Sequence, residues 1–79
     1  MSPSERRKSR IQAYPVPLVE QAIAATVYGE DNRRIVRDLY LADATYEQAA
    51  EHAAMTPSGL YKRMRRVMPP VEDYLKRLN

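Results

Sequence analysis

The chain has 79 residues, of which 44% are hydrophobic and 29% charged, so it has the length of one domain and the composition of a globular protein. It contains no cysteine and no apolar run near the roughly 20 residues that cross a bilayer, which argues against disulfides, cysteine zinc sites and a transmembrane helix. The net charge of +3 is segregated: residues 1–10 sum to +3, residues 11–55 to −4 and residues 56–68 to +4, and such basic patches attract polyanions.

The N-terminal segment is polar and basic and has few groups to bury. We therefore predict a flexible basic tail over residues 1–13, followed by a domain over residues 14–79. The tail either only solubilises the chain or acts as an arm that follows DNA phosphates or enters a minor groove. Pro15 and Pro17 favour an extended connection to the domain, because proline disfavours helix in the residue before it.

Apolar residues recur at helical spacing through the rest of the chain, and no segment alternates as a strand does. This pattern predicts an all-α fold, a compact domain of four or five helices. The first helix is expected at about residues 17–28, with Gly29 as its C-cap. The second is expected to begin at a capping Asp31 or Asn32 and to end near residue 42.

The next helices carry stronger local signals. Thr45 and Gln48 match a capping box at the start of a third helix, which is expected to end at residue 53 or 54. Thr56 caps a fourth helix, which is expected to end near residue 67 because the Pro69-Pro70 pair follows. A fifth helix is predicted after that pair. Its apolar stripe either completes the core or forms a dimer seam; the stripe consists of Val71, Tyr74, Leu75 and Leu78.

The third and fourth predicted helices form a compact pair, and the fourth is strongly cationic. Leu60 and Met64 are spaced to anchor it to the third helix, which leaves its other side exposed. A helix pair with one cationic helix fits the major groove of DNA. Side chains on the exposed side are expected to contact bases, and those at its rims to contact phosphates. The expected base-facing residues are Ser58, Gly59, Tyr61, Lys62 and Arg65, and the expected phosphate contacts are Thr45, Tyr46, Thr56, Arg63 and Arg66.

The run over residues 32–67, NRRIVRDLYLADATYEQAAEHAAMTPSGLYKRMRRV, resembles the region-four helix-turn-helix of bacterial sigma factors. Small phage and prophage regulators built on the same plan are similar. The likeness lies in the amphipathic IVRDLYL, the TYEQAAE opening, Met55-Thr56 at the turn, and LYKRM. It implies promoter-type duplex DNA as the ligand and suggests a contact with RNA polymerase. The matching base-facing positions are Ser58, Tyr61, Lys62 and Arg65.

The chain departs from the resemblance at two turns and in its length. Such motifs usually carry glycine where Ala54 and Asp43 stand here. A positive φ at Ala54 would cost roughly 1 kcal/mol, whereas aspartate tolerates that region better. The chain is too short to include the sigma region that opens promoters, so we expect a regulator that uses the motif alone. A homodimer would supply a second half-site, and the expected location is the cytoplasm, at the nucleoid or within a phage host.

The sequence offers no basis for catalysis, a cofactor or a metal site. It has one histidine, no cysteine and only two glycines, so neither an activated nucleophile nor a phosphate-cradling loop can be assembled. His52 lies on the polar side of the third predicted helix, with no evident partner. Two rivals to transcription regulation stay open: a helical adaptor for an acidic protein partner, and a DNA-packaging or recombination accessory protein.

Overall fold

The computed structural model describes the backbone of residues 3–78 and the side chains of residue 6 and residues 8–78. Within this range the chain is all-α, as predicted, and forms five helices. None of these helices is long and apolar enough to cross a membrane. The helices are α1 (Pro3–Gln12), α2 (Val16–Thr26), α3 (Glu30–Tyr40), α4 (Tyr46–His52) and α5 (Pro57–Arg77).

Apolar side chains from all five helices meet in one core. The Cα radius of gyration of 11.6 Å is close to the roughly 11 Å expected for a globular domain of this length. Apart from the tyrosine Tyr40, the buried residues among those described are all apolar. Val71 and Leu75 are both 0% exposed, so in these two residues the C-terminal stripe completes the core. The α5 residues of the core are Leu60, Met64, Met68, Val71 and Leu75.

The N-terminal segment is a packed helix, which corrects the predicted flexible tail. Ile11 on α1 is only 1% exposed and belongs to the core. Arg10 Nη2 lies 3.5 Å from Glu72 Oε2 on α5, and Lys8 Nζ lies 2.6 Å from Asp43 Oδ1 in the α3–α4 loop. A single apolar residue in a polar segment gives no periodic signal, so the sequence could not reveal this docking. Residues 1 and 2 of the predicted tail lie outside the described residues.

Two side chains of α1 hold Asp43 in the α3–α4 loop. Hydrogen bonds from Lys8 and from Gln12 Nε2, the latter at 3.3 Å, together with the charge of Lys8, lower the pKa of the Asp43 carboxyl. A carboxyl whose pKa is depressed by folding stabilises the folded state above its unfolded pKa, and the effect is lost as the pH falls through the folded value. The interactions of Lys8 and Gln12 with Asp43, which join α1 to the α3–α4 loop, therefore stabilise the fold less in acid.

The α2–α3 connection differs in detail from the prediction. Gly29 has the expected positive φ, 88°, but it serves as the N-cap of α3, which begins at Glu30 rather than after a capping Asp31 or Asn32. The end of α2 is capped by a side chain instead. Arg33 Nε donates to Val27 O at 2.8 Å, which satisfies a carbonyl that the helix leaves without a partner.

Helix α5 runs without interruption through Pro69 and Pro70, so the predicted break and the separate fifth helix are wrong. Each proline lacks the N–H that would bond the carbonyl four residues before it. Both prolines are exposed, and so are Arg65 and Arg66, whose carbonyls lose those bonds, so water can satisfy them. On the opposite face Met68 is 0% exposed and holds the helix against the core.

The turn between α4 and α5 carries backbone strain at Ala54, where the resemblance places glycine. Ala54 has φ 55°, in the left-handed region that favours glycine. We expect Ala54→Gly to raise the free energy of unfolding by about 0.5–1 kcal/mol in urea denaturation, because the relief of roughly 1–2 kcal/mol of left-handed strain exceeds the freedom that glycine adds to the unfolded chain.

Ala53→Gly is the matched control for this prediction. Ala53 has φ −90°, where an alanine is unstrained, so glycine there should lower stability by adding freedom to the unfolded chain. Equal losses in the two variants would show that Ala54 is not strained.

Candidate nucleic-acid interface

Helices α4 and α5 are fixed at their N-termini by side-chain caps. Thr45 Oγ1 accepts a hydrogen bond from Gln48 N at 3.1 Å, and Gln48 Oε1 accepts one from Thr45 N at 3.0 Å. This reciprocal pair confirms the predicted capping box. Thr56 Oγ1 accepts from Gly59 N at 3.1 Å, and Pro57 lies in the first turn of α5 as expected.

Small residues let the two helices approach closely. Ala49 and Ala50 on α4 are 0% and 1% exposed, and they belong to the same core as Leu60 and Met64 of α5. In the turn, Met55 N donates to Ala50 O at 2.8 Å, and the Met55 side chain packs against the core. The start of α5 is therefore held in a fixed orientation across α4.

The exposed side of the first half of α5 is cationic. Leu60, Met64 and Met68 face the core, so with about 3.6 residues per turn the opposite side of the helix faces outward. All four residues on that side are exposed, and the sequence has no acid between residues 56 and 68. We call this surface the cationic face, and it consists of Ser58, Lys62, Arg65 and Arg66.

The charges of the cationic face are available, whereas two cations of α1, Lys8 and Arg10, are paired with acids of the fold. Among the described residues, no ion pair involves Lys62, Arg65 or Arg66, while Lys8 and Arg10 are paired with acids of the fold. Paired charges attract a polyanion less than unpaired ones of the same sign. Pairing with acids therefore weakens the attraction of Lys8 and Arg10 for polyanions, and it leaves that of Lys62, Arg65 and Arg66 undiminished.

Two of the predicted contact residues lie away from the cationic face. Gly59 is half-buried, and a Cβ there would lie 3.2 Å from Thr56 Oγ1 and 3.7 Å from Met55 Cε. Its N–H donates to Thr56 Oγ1, and its predicted base-facing role stays a prediction. Arg63 is half-buried on the side of α5 toward the start of α3, where it and Arg66 line a cleft of about 630 Å³.

The two tyrosines predicted to face DNA lie against each other. Tyr46 at the start of α4 and Tyr61 on α5 stack with ring centroids 4.5 Å apart and an interplanar angle of 15°. The hydroxyl of Tyr46 is buried and has no hydrogen-bond partner among the described residues. It cannot reach a phosphate in this position, which corrects the predicted role of Tyr46. Tyr61 is 43% exposed at the edge of the cationic face.

Two further findings concern residues near this surface. Thr45 and Thr56 are exposed at the N-termini of the two helices, as their predicted phosphate contacts require.

His52 has a partner that the sequence did not reveal, since its Nδ1 lies 3.6 Å from Asp38 Oδ2 on α3. Asp38 and His52 lie on different helices, α3 and α4, which come together only in the folded protein. No local sequence pattern could therefore have identified the pair.

Comparison of the chain with protein-family models, with characterised proteins and with solved structures finds no match. Its function is therefore inferred from the geometry and charge of this surface.

Proposed function

We propose that the protein binds double-stranded DNA through a helix-turn-helix formed by α4 and α5, and that it regulates transcription. The observation that carries the proposal is the cationic face, an outward row of unpaired cations on a helix whose other side is sealed in the core. An α-helix is about 10–12 Å across and the major groove about 12 Å wide, so α5 fits the groove along this face.

The side chains of the cationic face have the chemistry that reads and holds DNA. Lys62 and Arg65 are the proposed base readers, because lysine and arginine donate to the O6 and N7 acceptors of guanine. Arg66 is the proposed phosphate contact on the adjacent rim. The hydroxyls of Thr45 and Thr56 accept from backbone amides and keep their own O–H to donate to a phosphate.

The length of the cationic face sets the size of the proposed site. Residues 58–66 rise about 12 Å along the helix, which corresponds to about four base pairs. One protomer therefore reads a short half-site, and we propose that a homodimer on two half-sites supplies useful affinity. The resemblance to sigma region four supports promoter DNA as the target and suggests RNA polymerase as a further partner.

Removing the two base readers tests the proposal. We expect Lys62→Ala/Arg65→Ala to weaken binding to a site selected from randomised duplexes by at least about 100-fold, with a smaller loss on random DNA. Fluorescence anisotropy across a salt series measures both affinities, and binding should fall steeply with salt through counterion release.

Lys76→Ala/Arg77→Ala is the matched control, because it removes the same charge from exposed positions at the far end of α5. It should change affinity by no more than about threefold, since distant exposed charges are largely screened at ordinary salt. Equal losses in both double variants would contradict the proposed face. Absence of duplex binding at about 50 mM salt, with binding to polyglutamate instead, would favour the adaptor for an acidic protein.

A further inference from the structure

The stacked pair of Tyr46 and Tyr61 links the N-terminus of α4 to the edge of the cationic face. A separation of 4.5 Å and an angle of 15° describe rings in face contact, and one of the two rings is half-buried. Aromatic contacts of this kind stabilise the pair beyond the effect of the area they bury. The stack therefore restrains the χ angles of Tyr61, a side chain that is otherwise 43% exposed.

The restrained ring of Tyr61 presents apolar surface beside a cationic residue. Tyr61 and Arg65 are four residues apart on α5, so they are neighbours on the same side of the helix. In the major groove the only apolar group on a base edge is the C5-methyl of thymine, or of a methylated cytosine. The aromatic ring of Tyr61, held at the edge of the cationic face of α5, is suited to apolar contact with that methyl group. Arg65 is suited to hydrogen bonds with guanine.

We propose that Tyr61 reads the C5-methyl group of a pyrimidine in the major groove and that Tyr46 is the positioning residue that holds it there. This inference rests on the proposed DNA binding and adds to it a specific base feature and the residue that makes it readable. The Tyr46 hydroxyl is buried, so in this inference Tyr46 acts by holding the ring of Tyr61 and not by donating to DNA.

Deoxyuridine substitution tests the reading of the methyl group. The wild-type protein is used to select a site from randomised duplexes, and each thymine of that site is then replaced by deoxyuridine, which pairs identically but lacks the methyl. We expect a roughly three- to fivefold loss of affinity at one thymine per half-site, the effect of one methyl removed from contact. Changing that pair to C·G should also lose affinity, and 5-methylcytosine should restore part of it.

Variants of the two tyrosines assign the effect to the stack. Tyr61→Ala should abolish the sensitivity to deoxyuridine. Tyr46→Leu should reduce it without changing the salt dependence, because no phosphate contact is altered. Tyr46→Phe keeps the ring and removes only a buried hydroxyl without a partner, so it should retain both the sensitivity and the stability. NOEs between the rings in the free protein report the stack without DNA.

The outcomes separate this inference from the function on which it rests. Selective binding with no thymine sensitive to deoxyuridine would overturn the inference alone, as would full sensitivity in a folded Tyr46→Leu protein. A wild-type protein that selects no duplex would overturn the proposed function together with this inference.

Discussion

Replacing Pro69 with alanine is expected to raise the free energy of unfolding by roughly 2–3 kcal/mol. Pro69 lies inside the continuous helix α5, where it removes a hydrogen bond to the carbonyl of Arg65 and crowds the preceding turn. Alanine restores the bond, and no buried contact is lost because Pro69 is exposed. Pro70→Ala should act in the same direction through the carbonyl of Arg66. Urea denaturation gives the change in stability, and far-ultraviolet circular dichroism reports the helix content.

Pro57→Ala provides the comparison for these variants. Pro57 lies in the first turn of α5, where an N–H has no partner within the helix, so its replacement should change stability by less than about 0.5 kcal/mol. If Pro69→Ala changed stability as little as Pro57→Ala does, α5 would end before the proline pair, as the sequence alone suggests.

Truncation of Leu60 to alanine is expected to lower the free energy of unfolding by roughly 2–5 kcal/mol. Leu60 is 0% exposed and belongs to the same core as Ala49 and Ala50 of α4, so the lost side chain leaves a cavity in that core. For a domain of this size such a loss is a large fraction of the total stability. DNA affinity should fall with the folded fraction, and stability is measured by urea denaturation.

Two variants separate this effect from the loss of a binding residue. Met64→Leu nearly conserves volume at another fully buried position, so it should lower stability by less than about 1.5 kcal/mol. Lys62→Ala/Arg65→Ala should leave stability nearly unchanged while it weakens DNA binding, because both side chains are exposed. If Leu60→Ala lowered the free energy of unfolding by less than about 1 kcal/mol, the result would contradict the full burial of Leu60 in the core.

The features predicted correctly from the sequence are local ones. The capping box of Thr45 and Gln48 needs only four consecutive residues. Ala54 stands where the resemblance places glycine, and it has the positive φ that glycine favours. The spacing of Leu60 and Met64 likewise fixes which side of α5 is buried. Each of these features is determined by a few neighbouring residues, so it can be predicted without knowledge of the tertiary structure.

The features that were missed depend on partners far away in the chain. Ile11 has no apolar neighbours in sequence, and its burial follows from the docking of α1 on the rest of the fold. The proline pair would end an isolated helix, but Met68 and Val71 are held in the core on either side of it. Tyr46 faces Tyr61 because α4 crosses α5, a relation that helical spacing within either helix cannot express.

The uninterrupted course of α5 places the cationic face and the C-terminal end of the helix on one axis. The helix has 21 residues and is therefore about 31 Å long, nearly the full 34 Å extent of the protein. Because α5 is continuous, a rotation of one end about the helix axis rotates the other end by the same angle. Under the proposed function, a second protomer or a polymerase that is fixed relative to α5 would thus face the duplex at one rotational phase. Productive spacings between paired sites would then recur at whole turns of B-DNA, about 10.5 base pairs apart.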